Sequence, residues 1–237
     1  MKAAVAQVRL YNEIDANVTT ISSCVARASE EGIDLLCFPE CALTGYVRDF
    51  NTVDQNEVIQ ALNHIQEQVM RDSVNVIVGA PYMDGEKRFN SAIALLTTGK
   101  RYIYHKLNLT SSETVYFDSG TKPLTFPVKG VTFGVLICRD QNDALLAHTY
   151  KSMGADALII LAAHFYEPRE AIQKLDKNRA LPIARAVENG LFVLKANAVG
   201  SANGTISCGD SILVDPNGFV IQEADHRTET ILSCKLD

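Results

Sequence analysis

Three side chains that close apolar runs could together perform nucleophilic catalysis: Glu40 in LLCFPE, Lys106 in RYIYHK and Cys138 in FGVLIC. A thiol attacks at neutral pH only beside a base or a positive charge. A buried carboxylate can take the thiol proton and later hand it to a leaving amine. A fixed ammonium can lower the thiol pKa and stabilise an oxyanion. No histidine is needed, and none of the five stands out as a partner. Each residue also has a plain reading: Cys138 as a small core hydrophobe, Glu40 and Lys106 as solvated loop residues.

The elements that must position them follow from periodicity. Residues 2–8 alternate like a strand, and Val18, Ile21, Val25 and Ala28 then recur at helical spacing over 17–31, before Gly32. A short buried strand is predicted over 34–38, an amphipathic helix over 55–72, a strand over 74–79, and a hairpin-like pair over 90–96 and 101–105. After the run to Cys138 come a helix over 144–153, a strand over 157–161 and a helical segment over 169–189, which Pro182 should interrupt or restart. Strands are predicted over 191–196, 211–214, 219–222 and 229–235, with the DPNG turn at 215–218 before Phe219. The stretch GTISCG around Cys208 reads as a loop. Strands and helices alternate, so the order fits α/β layers with a mixed sheet, or two sheets with helices outside. In such layers ligands collect at strand C-termini, where these three residues stand.

Composition narrows the function. The 237 residues carry a net charge of −6 with no basic cluster, which argues against a nucleic-acid groove. No linker divides the chain, so one domain over 1–237 is expected. The longest apolar run, ALIILAA, is about half of a bilayer span, and the N-terminus lacks a long apolar signal region, so a soluble cytoplasmic protein without membrane contact is expected. The six cysteines form no CxxC pair and no zinc-ligand set; reduced thiols and no metal are expected.

Several motifs, in order, resemble those of the nitrilase superfamily of carbon–nitrogen hydrolases, and the resemblance covers nearly the whole chain. FPECALTGY (38–46) is similar to the block around the family's catalytic glutamate, YHKLNL (104–109) to its lysine block and GVLICRD (134–140) to its nucleophile block. ETVYFDSG (113–120) is similar to the pattern of a second, supporting glutamate. RFNSAIALLTTGK, RAVENGLFVLKAN and GDSILVDPNG resemble further blocks. The resemblance implies a four-layer αββα sandwich. It places the general base on Glu40, the ammonium on Lys106, the nucleophile on Cys138 and a supporting, orienting role on Glu113. It implies an amidase-like hydrolase of linear amides or N-carbamoyl compounds that needs no cofactor and assembles as a homodimer or larger homo-oligomer.

The departures fall at the pocket. Arg139 stands where many members carry an aromatic residue, and Asp143-Ala144-Leu145 stands where they carry Phe-Pro-Glu. AAHFYEP (162–168) replaces a tryptophan-containing stretch, in a chain with no Trp. Arg139, His164 and Phe165 are therefore the expected substrate contacts, Arg139 either binding a substrate carboxylate or pairing with an acid such as Asp140. Cys208 could approach the pocket rim. Nitrile hydrolysis, acyl transfer, a silent scaffold and a redox-sensing thiol are the rival readings; intact Glu40, Lys106 and Cys138 argue against a scaffold.

Overall fold

A computed structural model describes residues 1–236. The chain opens with β1 (Lys2–Gln7), α1 (Ile14–Glu30), β2 (Leu35–Cys37), α2 (Gln55–Asp72) and β3 (Asn75–Asp84). The hairpin strands β4 (Lys87–Leu95) and β5 (Arg101–His105) follow. The second half holds β6 (Thr125–Val128), β7 (Val131–Ile137), α3 (Ala144–Ser152), β8 (Ala157–Ala162), α4 (Pro168–Gln173), α5 (Leu175–Asn189) and β9 (Phe192–Asn197). It ends with β10 (Val199–Ala202), β11 (Thr205–Cys208), β12 (Ile212–Val214), β13 (Val220–Glu223) and β14 (Thr230–Lys235).

Two six-stranded sheets form, ordered β14-β1-β2-β3-β4-β5 and β13-β12-β9-β8-β7-β6. Each has three parallel strands at its centre, β1-β2-β3 and β7-β8-β9, with antiparallel strands outside. The parallel strands are joined by helical crossovers, so both of their faces are covered and their residues are mostly apolar, with Gln7, Asn75, Lys195 and Asn197 as buried polar exceptions. Alternation assigns the faces. Ala3, Val5, Leu35 and Cys37 of the first sheet meet Val135, Ile137, Ile159 and Leu161 of the second in one core between the sheets. Ala4, Ala6 and Leu36 point the other way, onto Ile21 and Val25 of α1 and Leu62 and Ile65 of α2. Leu158 and Ile160 pack outward against Leu146 of α3 and Ala186 of α5. The layers are therefore helix, sheet, sheet, helix. Among the described residues no helix is long and apolar enough to cross a membrane.

Three expectations need correction. Pro182 does not interrupt the helix it lies in; the break is at Lys174, between α4 and α5. The proline is tolerated because the carbonyl it frees one turn earlier, that of Asn178, accepts from Lys195 Nζ at 3.0 Å. The stretch around Cys208 is a strand, β11, paired with β10 in a separate hairpin. Helix α1 begins at Ile14, three residues earlier than its apolar periodicity suggests.

Candidate active site

Each candidate residue is held by a feature of its own backbone. Glu40 follows β2 in a tight turn pressed against Gly79 of β3. A Cβ on Gly79 would lie 2.7 Å from Glu40 Cα and collide with the backbone of Pro39 and Cys41, so only glycine admits this approach. Lys106 leaves β5 beside Gly120, whose N–H donates to the Lys106 carbonyl at 2.8 Å. Cys138 ends β7 and opens a 3-10 turn, Cys138–Asn142, with φ of 45°. A left-handed conformation is unfavourable for a residue with a side chain and persists only where its surroundings enforce it.

Asp140 supplies much of that enforcement. It is fully buried, and its Oδ2 accepts from the backbone N–H of Ile137 at 3.0 Å and from the Tyr104 hydroxyl at 2.8 Å. Its Oδ1 accepts from the Asn108 N–H at 2.8 Å. Asp140 therefore belongs to the framework, and the expected alternative of an Arg139–Asp140 pair is not what forms. Arg139 is exposed and makes no ion pair among the described residues.

Lys106 Nζ lies 2.7 Å from Oε1 of Glu40 and 2.7 Å from Oε1 of Glu113. Asn90 Nδ2 donates to the same two oxygens, at 2.7 and 2.8 Å. Two carboxylate oxygens and two nitrogen donors thus close a four-membered polar ring, every member at most 2 % exposed. The remaining oxygens are also filled: Glu40 Oε2 by the Ala163 N–H at 3.1 Å, Glu113 Oε2 by the Thr110 N–H at 2.7 Å. Cys41, beside Glu40, turns into a cluster with Phe50 and Phe117, and its thiol approaches Asn90 Oδ1 at 3.9 Å.

Burial and charge push the two glutamates apart. Burial raises the Glu40 pKa; the Lys106 charge lowers it, the Glu113 charge raises it and the hydrogen bonds from Lys106 and Asn90 lower it. With burial the largest cause, the net shift is upward. Burial also lifts Glu113, but Lys106 and the donors Thr110 and Asn90 outweigh it, and the net shift is downward. Burial opposes the Lys106 ammonium, yet Glu40, Cys138 and Glu113 hold its pKa above the ordinary lysine range. Burial and then the Glu40 charge raise the Cys138 thiol, with Lys106 opposing. The half-buried Cys138 thus sits within electrostatic reach of all three.

His164 is buried rather than lining an open surface; its ring contacts Gln141, Nε2 to Nε2 at 3.2 Å. Phe165 is half-buried with its ring 6.2 Å from that of Tyr46. Cys208 is half-buried on β11. Sequence reasoning passed over Asn90 and the Tyr104–Asp140 bond; RFNSAIAL held the only hint of the first. Among the described residues no group of three or more metal-ligating side chains is gathered. A surface cavity of about 760 Å³ between the N-terminal ends of α1 and α2 contains none of the four candidate residues.

Two facing sheets inside helical layers, with a cysteine at a left-handed strand end, define a sandwich of the nitrilase type. The chain belongs to the carbon–nitrogen hydrolase family, whose model, described as carbon-nitrogen hydrolase, matches residues 2–237. An (R)-stereoselective amidase of Pseudomonas sp. is 30% identical over 194 residues, 81% of this chain and 69% of its own length. A nitrilase of Pyrococcus abyssi (strain GE5 / Orsay) is 30% identical over 95% of this chain and 85% of its own. Among solved structures, the NitN amidase from Neterenkonia sp. AN1 superposes with a TM-score of 0.91 at 25% identity, covering 100% of this chain and 93% of that one. The protein is a carbon–nitrogen hydrolase of the nitrilase superfamily.

Proposed function

We propose that this hydrolase cleaves linear amides or N-carbamoyl compounds through a thioester on Cys138, with Glu40 as general base and acid, Lys106 as electrostatic stabiliser and Glu113 as positioning residue. The observation that carries the assignment is the buried polar ring in which Lys106 Nζ lies 2.7 Å from Oε1 of both Glu40 and Glu113. Where two carboxylates share a site and their pKa values are driven apart, the raised one is fit to exchange protons and the lowered one to stay ionised. Glu40 is the raised one and Glu113 the lowered one.

Glu40 accepts the Cys138 proton as the sulfur attacks the carbonyl carbon. The oxyanion forms against Lys106 Nζ and the backbone N–H of Arg139, which at the first turn has no partner within the turn itself. A donor of this kind contributes a factor of about 10² to 10³ in rate. The carbon–nitrogen bond breaks as Glu40 gives its proton to the nitrogen. Water then attacks the thioester, with Glu40 taking its proton, and the acid leaves with the thiol restored. Glu113 keeps the Lys106 charge balanced and its Nζ fixed.

Ammonia release from matched amides, N-carbamoyl compounds and nitriles, beside Cys138→Ala, tests this reading. Turnover of amides that disappears in the variant, with an acyl adduct on Cys138 by mass spectrometry, is the expected result. Nitriles as the preferred class would replace the amide assignment with nitrile hydrolysis. A thioester that transfers to an added amine faster than to water would replace hydrolysis with acyl transfer.

A further inference from the structure

Oε1 of Gln141, Nδ1 of His164 and Oδ1 of Asp210 are buried side-chain atoms without a hydrogen-bond partner. Their residues are 2 %, 4 % and 3 % exposed, so water outside the protein cannot serve them. Buried polar atoms are rarely left so, and each raises the question of what it binds. His164 and Asp210 both line a cavity of about 10 Å³, with Tyr166, Asn178, Asn197 and Cys208 around it. That volume is about the smallest that admits one water-sized group.

The cavity connects to the reacting centre through the residues next to His164 in chain and in space. Ala163, directly before His164, donates its N–H to Glu40 Oε2, and the His164 ring contacts Gln141, three residues after Cys138. Asn197 fixes the His164 backbone by accepting its N–H at 3.1 Å. The polarity of the lining is also specific. Gln141 Nε2 donates to His164 Nε2, which leaves the imidazole proton on Nδ1 as a donor. Asp210 Oδ1 is an acceptor, while its Oδ2 is held 3.2 Å from Lys195 Nζ. The pair Lys195 and Asp210 is neutral as a unit, and burial together with the neighbouring ammonium groups keeps His164 uncharged. A cation entering here would meet Lys195 and an anion would meet Asp210.

We propose that this cavity is a subsite for the acyl end of the substrate and takes an uncharged group that both donates and accepts a hydrogen bond, a hydroxyl, with His164 Nδ1 and Asp210 Oδ1 as its partners. The substrate class is then a hydroxyacyl amide. This rests on the amide reading above. A site built to bond a hydroxyl discriminates strongly against the analogue lacking it, because its own polar atoms are then left unpaired.

The test uses the full chain carrying Cys138→Ala, which binds without turnover. Calorimetry compares propanamide with 3-hydroxypropanamide, and butanamide with 3-hydroxybutanamide and 4-hydroxybutanamide. One hydroxyamide is expected to bind at least about tenfold more tightly than its deoxy partner. That ratio is expected to fall to about one when His164→Phe or Asp210→Asn is added. His164→Phe leaves the Lys195–Asp210 pair intact, so it decides the matter if Asp210→Asn does not fold. Equal binding within every pair would mean that the cavity holds water only and would overturn the subsite while leaving the amide reading in place. A preference that survives both substitutions would overturn it as well. Failure of the folded protein to bind any amide would overturn the amide reading and the subsite together.

Discussion

The Tyr104 hydroxyl donates to Asp140 Oδ2 at 2.8 Å, across the interface between the two sheets. Tyr104 lies two residues before Lys106 on β5, and Asp140 lies two residues after Cys138. One buried bond therefore sets the distance between the strand that carries the ammonium and the turn that carries the thiol. Tyr104→Phe keeps the ring and removes the bond. A loss of about 1.5–3 kcal/mol in unfolding free energy is expected, the range for a bond to a charged partner. A drop in kcat should accompany it, with KM less affected; a denaturant titration beside steady-state kinetics checks both.

Asn90 donates to both glutamates at once, and such bonds favour the ionised form. Asn90→Ala removes them and should raise the Glu40 pKa further and move that of Glu113 upward from its lowered position. In the proposed mechanism Glu40 works as a base only when ionised, so the acid limb of kcat/KM should move to higher pH. In the native enzyme that limb should already lie above the ordinary glutamate value of 4.5. A pH–rate profile of the two proteins measures the displacement; superimposable limbs would remove Asn90 from the proton inventory.

Lys106 is the charge that permits two carboxylates in one buried site. Lys106→Met should destabilise the fold by about 3–5 kcal/mol, since removing one partner strands the others. The pH dependence has a definite sign. Without the ammonium, both glutamates have folded pKa values above their unfolded ones. Their contribution is then fully present below the unfolded pKa and is lost as pH rises through the folded one. The variant should therefore recover stability towards pH 4.5 and lose it on going to neutral, as thermal melts across that range would reveal.

Gly79 is in contact with the backbone that carries Glu40, so Gly79→Ala should act on catalysis although it adds only a methyl group. The displaced backbone cannot yield as a flexible side chain would. Overpacking of this kind costs about 1–3 kcal/mol, and the shifted carboxylate should lower kcat by about a hundredfold. A variant with native kcat would show that the turn accommodates the methyl group without moving Glu40.

Much of this architecture is legible in the sequence because its signals are local. The buried strands are unbroken apolar runs, and the helices α1 and α2 show their buried stripes at helical spacing. Glu40, Lys106, Glu113 and Cys138 sit in motifs that can be compared block by block. Asn90 is different: its partners lie 50 and 23 residues away, and a polar residue inside a strand gives no sign of facing a carboxylate pair. Pro182 misled for a similar reason, since the donor that compensates for it, Lys195, comes from another element. The β10–β11 hairpin is short and glycine-flanked, too weak in alternation to announce itself. His164 could be named as a pocket residue, but the burial of its ring against Gln141 depends on how the nucleophile turn packs on β8.

The division of the site between the sheets has a consequence for how the protein acquires activity. Glu40 and Lys106 issue from the first sheet and Cys138 from the second, and the bond from Ala163 to Glu40 spans 123 residues of sequence. Neither half of the chain holds a working set of groups. Contacts this distant in sequence form late in folding. On refolding from denaturant, helical and strand signals should therefore return before turnover does, and the enzyme's own reaction becomes a clock for the docking of one sheet on the other.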